Sequence, residues 1–104
     1  MHPAVLELKS RLLAQFGGKL IRFIVHGSYI RGDNTPESDI DVFVTFDSDI
    51  DWKFKQEVLK ISFELELEYN VVLDVKMYSE YEIQHTIAGA TPFVENVFRE
   101  GIAV

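Results

Sequence analysis

The stretch that decides the fold runs from His26 to Val44 and reads HGSYIRGDNTPESDIDVFV. A mostly apolar run precedes it, from Leu20, and ends at Gly27-Ser28. Ten residues separate Ser28 from Asp39-Ile40-Asp41, which opens a second apolar run. Two small residues that offer backbone N–H groups follow the first strand, and two carboxylates begin the next strand. Both sets of groups would lie at the same end of a sheet. Such an end suits a polyphosphate held by backbone N–H groups and by divalent metal.

Helical and strand patterns alternate on either side of this stretch. Period-two spacing places Ile40 and Val42 on one face of the second strand, and Asp39, Asp41 and Phe43 on the other. Apolar residues at steps of three and four predict a long helix beginning near residue 48 or 49 and reaching Tyr69. The predicted elements are a helix 3–16, strands 20–26 and 39–46, a loop 29–38 that can begin with a helical turn, a helix 48–69, a strand 71–77, helices 79–89 and 91–101, and a short strand 102–104.

This order of elements predicts the fold class. It is that of an α/β (α+β) domain, with a small mixed β-sheet and helices packed on one side. Residues 1–104 are enough for one domain with a buried core. On the long helix, Trp52, Phe54 and Phe63 are expected to face either the core or a partner protein, while lysines and glutamates form the opposing, solvent-facing side.

Composition narrows the classes of function. The chain is 47% apolar and 26% charged, and seventeen acidic against ten basic residues give a net charge of −7. Binding to a long nucleic acid rests on Lys and Arg, so we expect no such partner. There is no apolar run of about 18 residues and no signal sequence, so we expect no membrane span and a cytoplasmic location. The absence of Cys excludes disulfides and cysteine-based metal sites.

Three carboxylates are the candidate metal ligands. Residues i and i+2 of a strand point the same way, so Asp39 and Asp41 can share one cation or hold two Mg²⁺ ions between them. Asp74 interrupts an apolar run, where an unpaired charge in a central strand would be unfavourable, and it is the candidate third acid. A D-x-D pair alone is more often a solvent-facing strand start, and it is the combination with Gly27-Ser28 that favours a site.

Two further residues complete the candidate site beside Gly27. Ser28 offers an N–H and a hydroxyl, and a helical turn that begins there would present its N-terminus to a phosphate. Arg31 can either contact the same phosphates or pair with a carboxylate and fix the loop. His26, at the end of the strand, is expected to be a packed histidine outside the site.

The run G-S-Y-I-R-G-D-N-T-P-E-S-D-I-D-V resembles the G-S-x10-D-x-D element of the DNA-polymerase-β-like nucleotidyltransferase superfamily. It is most similar to the minimal nucleotidyltransferases (MNT proteins) encoded beside HEPN-domain partners, and the likeness covers most of the chain. The resemblance implies that Gly27 and Ser28 handle the triphosphate and that Asp39 and Asp41 bind two Mg²⁺ ions. It also implies that Asp74 is the third acid and helps to activate the acceptor hydroxyl. Ile30 departs from the family pattern, in which Ala is common.

The same resemblance implies an activity and a partner. The protein would be an ATP-binding, Mg²⁺-dependent nucleotidyltransferase that moves AMP from ATP to a tyrosine hydroxyl of a HEPN-type toxin. It would thereby act as the antitoxin of a toxin–antitoxin pair, in a hetero-oligomer. Two alternatives stay open: a non-catalytic antitoxin that neutralises its partner by covering it, and an aminoglycoside-type small-molecule nucleotidyltransferase whose acceptor domain is a second chain.

Overall fold

The computed structural model describes residues 1–33, 35 and 39–104, so the loop predicted for residues 29–38 lies partly outside the described residues. Five helices and four strands follow one another along these residues, with short 3-10 turns at Gly17–Lys19 and Ile87–Ala90. Their bounds are α1 Pro3–Phe16, β1 Leu20–His26, α2 Ser28–Arg31, β2 Ile40–Phe46, α3 Trp52–Tyr69, β3 Leu73–Ser79, α4 Glu80–His85, α5 Pro92–Glu100 and β4 Ile102–Ala103.

The four strands form one mixed sheet in the order β3-β2-β1-β4. β1 runs antiparallel to both β2 and β4, whereas β2 and β3 are parallel. A parallel pair needs a crossover, and α3 supplies it. The predicted mixed α/β fold is therefore confirmed. Among the described residues, no helix combines the length and the apolar character needed to cross a bilayer.

Helices pack on both faces of the sheet. The predicted alternation is present in β2, where Val42 and Val44 join the main core with α1 and α3. Phe43 points to the opposite face and packs in a second, smaller cluster with apolar residues of α4 and α5. The prediction that the helices pack on one side holds for α1 and α3 but is wrong for α4 and α5, because the apolar side chain of Phe43 needs a cover on the other face. Phe43 is fully buried, and this second layer is what buries it.

Local capping and strand pairing explain why α3 and β3 begin later than predicted. α3 begins at Trp52, because the Asp51 carboxylate accepts a hydrogen bond from the Phe54 N–H at 2.8 Å and caps the helix there. β3 begins two residues later than predicted, because its parallel register with β2 starts at the pair Ile40 and Leu73. The predicted capping box of Ser79 and Glu82 is present at the start of α4.

Candidate functional site

Strand register places three titratable side chains in one row. His26 at the end of β1 is paired with Asp41, and Asp41 is in turn paired with Asp74 on β3. Neighbouring strands lie about 4.8 Å apart, so these side chains are immediate neighbours on the face of the sheet that also carries Phe43. Two of the three predicted acids therefore meet at one end of the sheet.

The electrostatics at Asp41 reflect this crowding. Burial raises the pKa of Asp41, and the negative charges of Asp74 and Asp39 raise it further, while His26 opposes the shift. A side-chain hydrogen bond with Asp74 raises the pKa of Asp41 in the same direction. Asp39 is exposed just before β2 begins. Both neighbouring carboxylates thus oppose ionisation of Asp41, and a cation held among them would relieve that repulsion.

The setting of Asp74 differs from the sequence argument. β3 is an edge strand, so the Asp74 side chain keeps 36% of its surface exposed. Its carboxylate is paired with Lys76, two residues along the same strand, at 2.8 Å. The argument from an unpaired charge in a central strand was therefore wrong. What favours Asp74 as a site residue is its register with Asp41.

Gly27 is shaped to fit against Asp41. Its φ of 77° and ψ of −158° lie in a region that glycine alone adopts readily. A Cβ atom built on Gly27 would lie only 2.1 Å from the Asp41 Oδ2 atom. The Asp41 carboxylate therefore lies directly against the backbone of Gly27, where any side chain at position 27 would collide with it.

Ser28 does begin a helical turn. α2 is short, and its hydrogen bonds start with the Ile30 and Arg31 N–H groups donating to the Gly27 carbonyl, so the Ser28 N–H precedes the first of them. Arg31 is exposed, and its Nε lies 3.5 Å from an Asp33 carboxylate oxygen. It also lines a pocket of about 140 Å³ with His26, Gly27 and residues of α5. The structure is thus compatible with both predicted roles of Arg31.

His26 lies beside Asp41 at this end of the sheet, although the sequence argument left it outside the site. Its Nε2 atom is buried and has no hydrogen-bond partner within the described part of the chain. Burial lowers the pKa of His26, against the opposing effect of Asp41 and Asp74. Its ring packs edge-on against Phe93 of α5, with centroids 5.6 Å apart. Only the antiparallel register reveals this neighbourhood, since His26 lies fifteen positions before Asp41 in the sequence.

Comparison with known proteins identifies the family. Residues 5–104 match the family described as nucleotidyltransferase domain. This chain belongs to the nucleotidyltransferase family. Two relatives from Methanocaldococcus jannaschii carry the names "Putative protein adenylyltransferase MJ0604" and "Putative protein adenylyltransferase MJ0141". The first is 35% identical over 96% of this chain and 93% of its own length, and the second 33% identical over 94% and 92%.

Two solved structures share the fold of this nucleotidyltransferase. One, titled "Structure of putative minimal nucleotidyltransferase", is 26% identical, has a TM-score of 0.56 and covers 99% of this chain and 98% of its own. The other, titled "Crystal structure of the toxin-antitoxin with AMP-PNP", is 20% identical, has a TM-score of 0.58 and covers 93% of this chain and 69% of its own. The resemblance to a minimal nucleotidyltransferase is therefore confirmed, and the chain is assigned to the nucleotidyltransferase enzymes.

The acids of this nucleotidyltransferase fit a divalent cation in part. Asp41 and Asp74 offer carboxylate oxygens side by side, and a cation between them would remove the repulsion that raises the pKa of Asp41. Across residues 1–33, 35 and 39–104, however, no three acidic or histidine side chains converge closely enough to hold a metal ion. Lys76 provides the positive charge beside Asp74 instead. A cation would therefore compete with Lys76 for Asp74.

The burial of Asp41 beside other carboxylates predicts that removing its charge stabilises the fold. Because the folded-state pKa of Asp41 is raised, its ionised form opposes folding, and this penalty grows as pH rises through that pKa. We expect Asp41→Asn to raise the melting temperature of the metal-free protein at pH 7 by up to a few degrees, and to have no such effect near pH 3. Thermal scans at both pH values, with Asp47→Asn as a charge-matched control, check this. An Asp41→Asn protein that melts below the wild type at pH 7 would contradict it.

Proposed function

We propose that this nucleotidyltransferase transfers AMP from ATP to a tyrosine hydroxyl of a HEPN-type partner and thereby acts as the partner's antitoxin. The single observation that carries the proposal is the meeting of Asp41 and Asp74 beside the Gly27-Ser28 turn, at one end of the sheet. Donor phosphates and acceptor hydroxyl can both reach that end, because the row of side chains is only partly buried.

The proposed reaction balances as a simple displacement. The acceptor oxygen forms a bond to the α-phosphorus of ATP, the α–β phosphoanhydride bond breaks, and pyrophosphate leaves. Asp74, whose side chain keeps 36% of its surface exposed, would take the hydroxyl proton. Ser28 would donate its N–H and hydroxyl to the phosphates, and Arg31 would neutralise part of their charge from across the small pocket.

Two Mg²⁺ ions are part of the proposal, held by Asp39, Asp41 and Asp74. When bound, they would supply charge stabilisation and alignment for the triphosphate. Other contacts within the chain hold these carboxylates close together. Gly27 leaves the space for Asp41, and the pairing of β2 with β3 sets its neighbour.

Several findings favour a protein as the acceptor. Two relatives, each matching more than nine-tenths of this chain, carry the name "Putative protein adenylyltransferase". One structure of the same fold is titled a toxin–antitoxin with AMP-PNP, a nucleotide of the ATP type. The net charge of −7 disfavours a long nucleic acid and favours a more basic protein partner. We place the reaction in the cytoplasm, within a single domain formed by residues 1–104.

Nucleotide binding provides the experiment that tests this function. Calorimetric titration with ATP is expected to give an affinity at least tenfold higher with Mg²⁺ than with EDTA, because carboxylates and triphosphate repel each other without cations. The Asp41→Asn protein should lose most of that difference, whereas Asp47→Asn, at the far end of β2, should retain it. Equal ATP affinities with Mg²⁺ and with EDTA in the wild type would contradict the proposed metal site.

A further inference from the structure

The outward face of α3 carries two parallel rows of side chains, which together line a shallow groove of about 580 Å³. One row is apolar and is unusually exposed: the exposed fractions are 77% for Trp52, 55% for Phe63 and 86% for Leu67. The other row is charged and consists of Lys53, Glu57, Lys60 and Glu64. We call the two rows together the α3 stripe. Isolated exposed apolar residues are ordinary, but three on one helix face indicate an interaction surface.

The two rows occupy adjacent arcs of the helix. Successive residues of an α-helix turn by about 100°, which places the apolar row and the charged row on neighbouring arcs of about 60° each. A second helix packed lengthwise on the stripe would therefore meet apolar side chains along one edge and charges along the other.

The charges in the second row alternate in sign. From Lys53 to Glu64 they read positive, negative, positive, negative along the helix. The same row read from the opposite direction gives negative, positive, negative, positive. Two copies of α3 packed antiparallel about a two-fold axis thus place every charge opposite its complement, with Lys53 facing Glu64 and Glu57 facing Lys60 of the second copy.

The apolar row fits the same alignment independently. With the charges paired, Trp52 of one copy lies between Phe63 and Leu67 of the other, offset from each by about 3 Å along the axis. A two-fold axis perpendicular to the helices keeps apolar row against apolar row and charged row against charged row. One register therefore satisfies both rows.

We propose that the α3 stripe is a homodimer interface, in which two copies of this chain pack antiparallel through α3. Charge favours a second copy over a basic partner protein. The chain as a whole carries −7, but the stripe contains two lysines and two glutamates and is neutral. Glu64 is also held at the edge of the stripe by Arg11, whose Nη2 lies 2.8 Å from its Oε2. A single helix pair buries less than the roughly 800 Å² per partner of standard interfaces, so the dimer is weak.

Two single substitutions test the register without touching Glu64. Glu57→Lys places Lys against Lys60 of the second copy, and Lys60→Glu places Glu against Glu57, each twice per dimer. We expect either variant alone to dissociate at least tenfold more readily than the wild type in sedimentation equilibrium. An equimolar mixture should dimerise again, because each substituted side chain then meets an opposite charge. The restored heterodimer also shows that both variants are folded.

The emission of Trp52 reports on the interface itself, since it is the only tryptophan in the chain. In the dimer its ring is shielded by Phe63 and Leu67, so its emission should shift to shorter wavelength over the concentration range in which the mass doubles. Lys55→Glu, an exposed charge reversal on α3 outside the stripe, is the matched control and should behave like the wild type.

Three results would overturn the proposal. They are a wild-type chain that is still monomeric at about 1 mM, single variants that dimerise as well as the wild type, and dimerisation that leaves Trp52 emission unchanged. If a monomeric wild type binds a separate partner and Glu57→Lys weakens that complex, the stripe belongs to the partner and not to a second copy. The catalytic activity proposed above plays no part in any of these outcomes.

Discussion

The Asp39→Asn/Asp41→Asn protein is expected to lose nucleotidyl transfer by several orders of magnitude while keeping its fold. The two substitutions preserve side-chain size but remove the negative charges that would hold cations at the end of the sheet. Loss of even one preorganised electrostatic group typically slows an enzyme by about 10²–10³, and positioning with charge stabilisation supplies most of phosphoryl-transfer catalysis. Pyrophosphate release in the presence of partner, ATP and Mg²⁺ measures the effect.

Two controls separate catalysis from simple covering of the partner. Asp47→Asn/Asp49→Asn changes the net charge by the same amount at the opposite end of β2, and it should release pyrophosphate like the wild type. Size-exclusion chromatography should show that the Asp39→Asn/Asp41→Asn protein still co-elutes with the partner. If this inactive protein neutralised the partner in cells as fully as the wild type, binding alone would suffice and the catalytic account would be wrong.

Gly27→Ala is expected to slow transfer by about 10²-fold, more than its effect on stability alone explains. Its Cβ would lie 2.1 Å from the Asp41 Oδ2 atom, and real Cβ contacts under 3.0 Å are essentially never seen, so the carboxylate must move by about 1 Å. The positive φ adds a backbone strain of about 1–3 kcal/mol. The carboxylate can swing aside, so the clash displaces a site residue without unfolding the chain.

Gly17→Ala is the matched control for this substitution. Gly17 also has a positive φ and a strongly negative ψ, but a Cβ there would meet nothing within 4 Å. Both variants should therefore lose a similar amount of stability in urea unfolding, and only Gly27→Ala should lose transfer. An equal loss of activity in the two variants, or full activity in Gly27→Ala, would contradict the role assigned to Gly27.

Local patterns in the sequence were sufficient to predict much of the fold. Period-two alternation predicted the two faces of β2, and the capping box predicted the start of α4. These features depend on neighbours in the chain, which the sequence displays directly. The start of α3 was misplaced because Ser48, Asp49 and Asp51 can all cap a helix, and only the hydrogen bond to Phe54 selects Asp51.

Features that depend on register could not be read from the sequence. Nothing local indicates that His26 is paired with Asp41 or that β3 lies at the edge of the sheet. The ion pair of Lys76 with Asp74 was within reach of sequence reasoning, since residues two apart on a strand share a face. The second helical layer could not be predicted, because the sequence does not show that α5 packs on the face of the sheet that carries Phe43 and the site.

The most direct test of the central claim is the intact mass of the partner protein after incubation with this nucleotidyltransferase, ATP and Mg²⁺. The account predicts a gain equal to one or more AMP groups, located on a tyrosine by fragmentation, and no gain with the Asp39→Asn/Asp41→Asn protein. A partner whose mass stays unchanged, while the wild-type protein binds and neutralises it, would contradict the account.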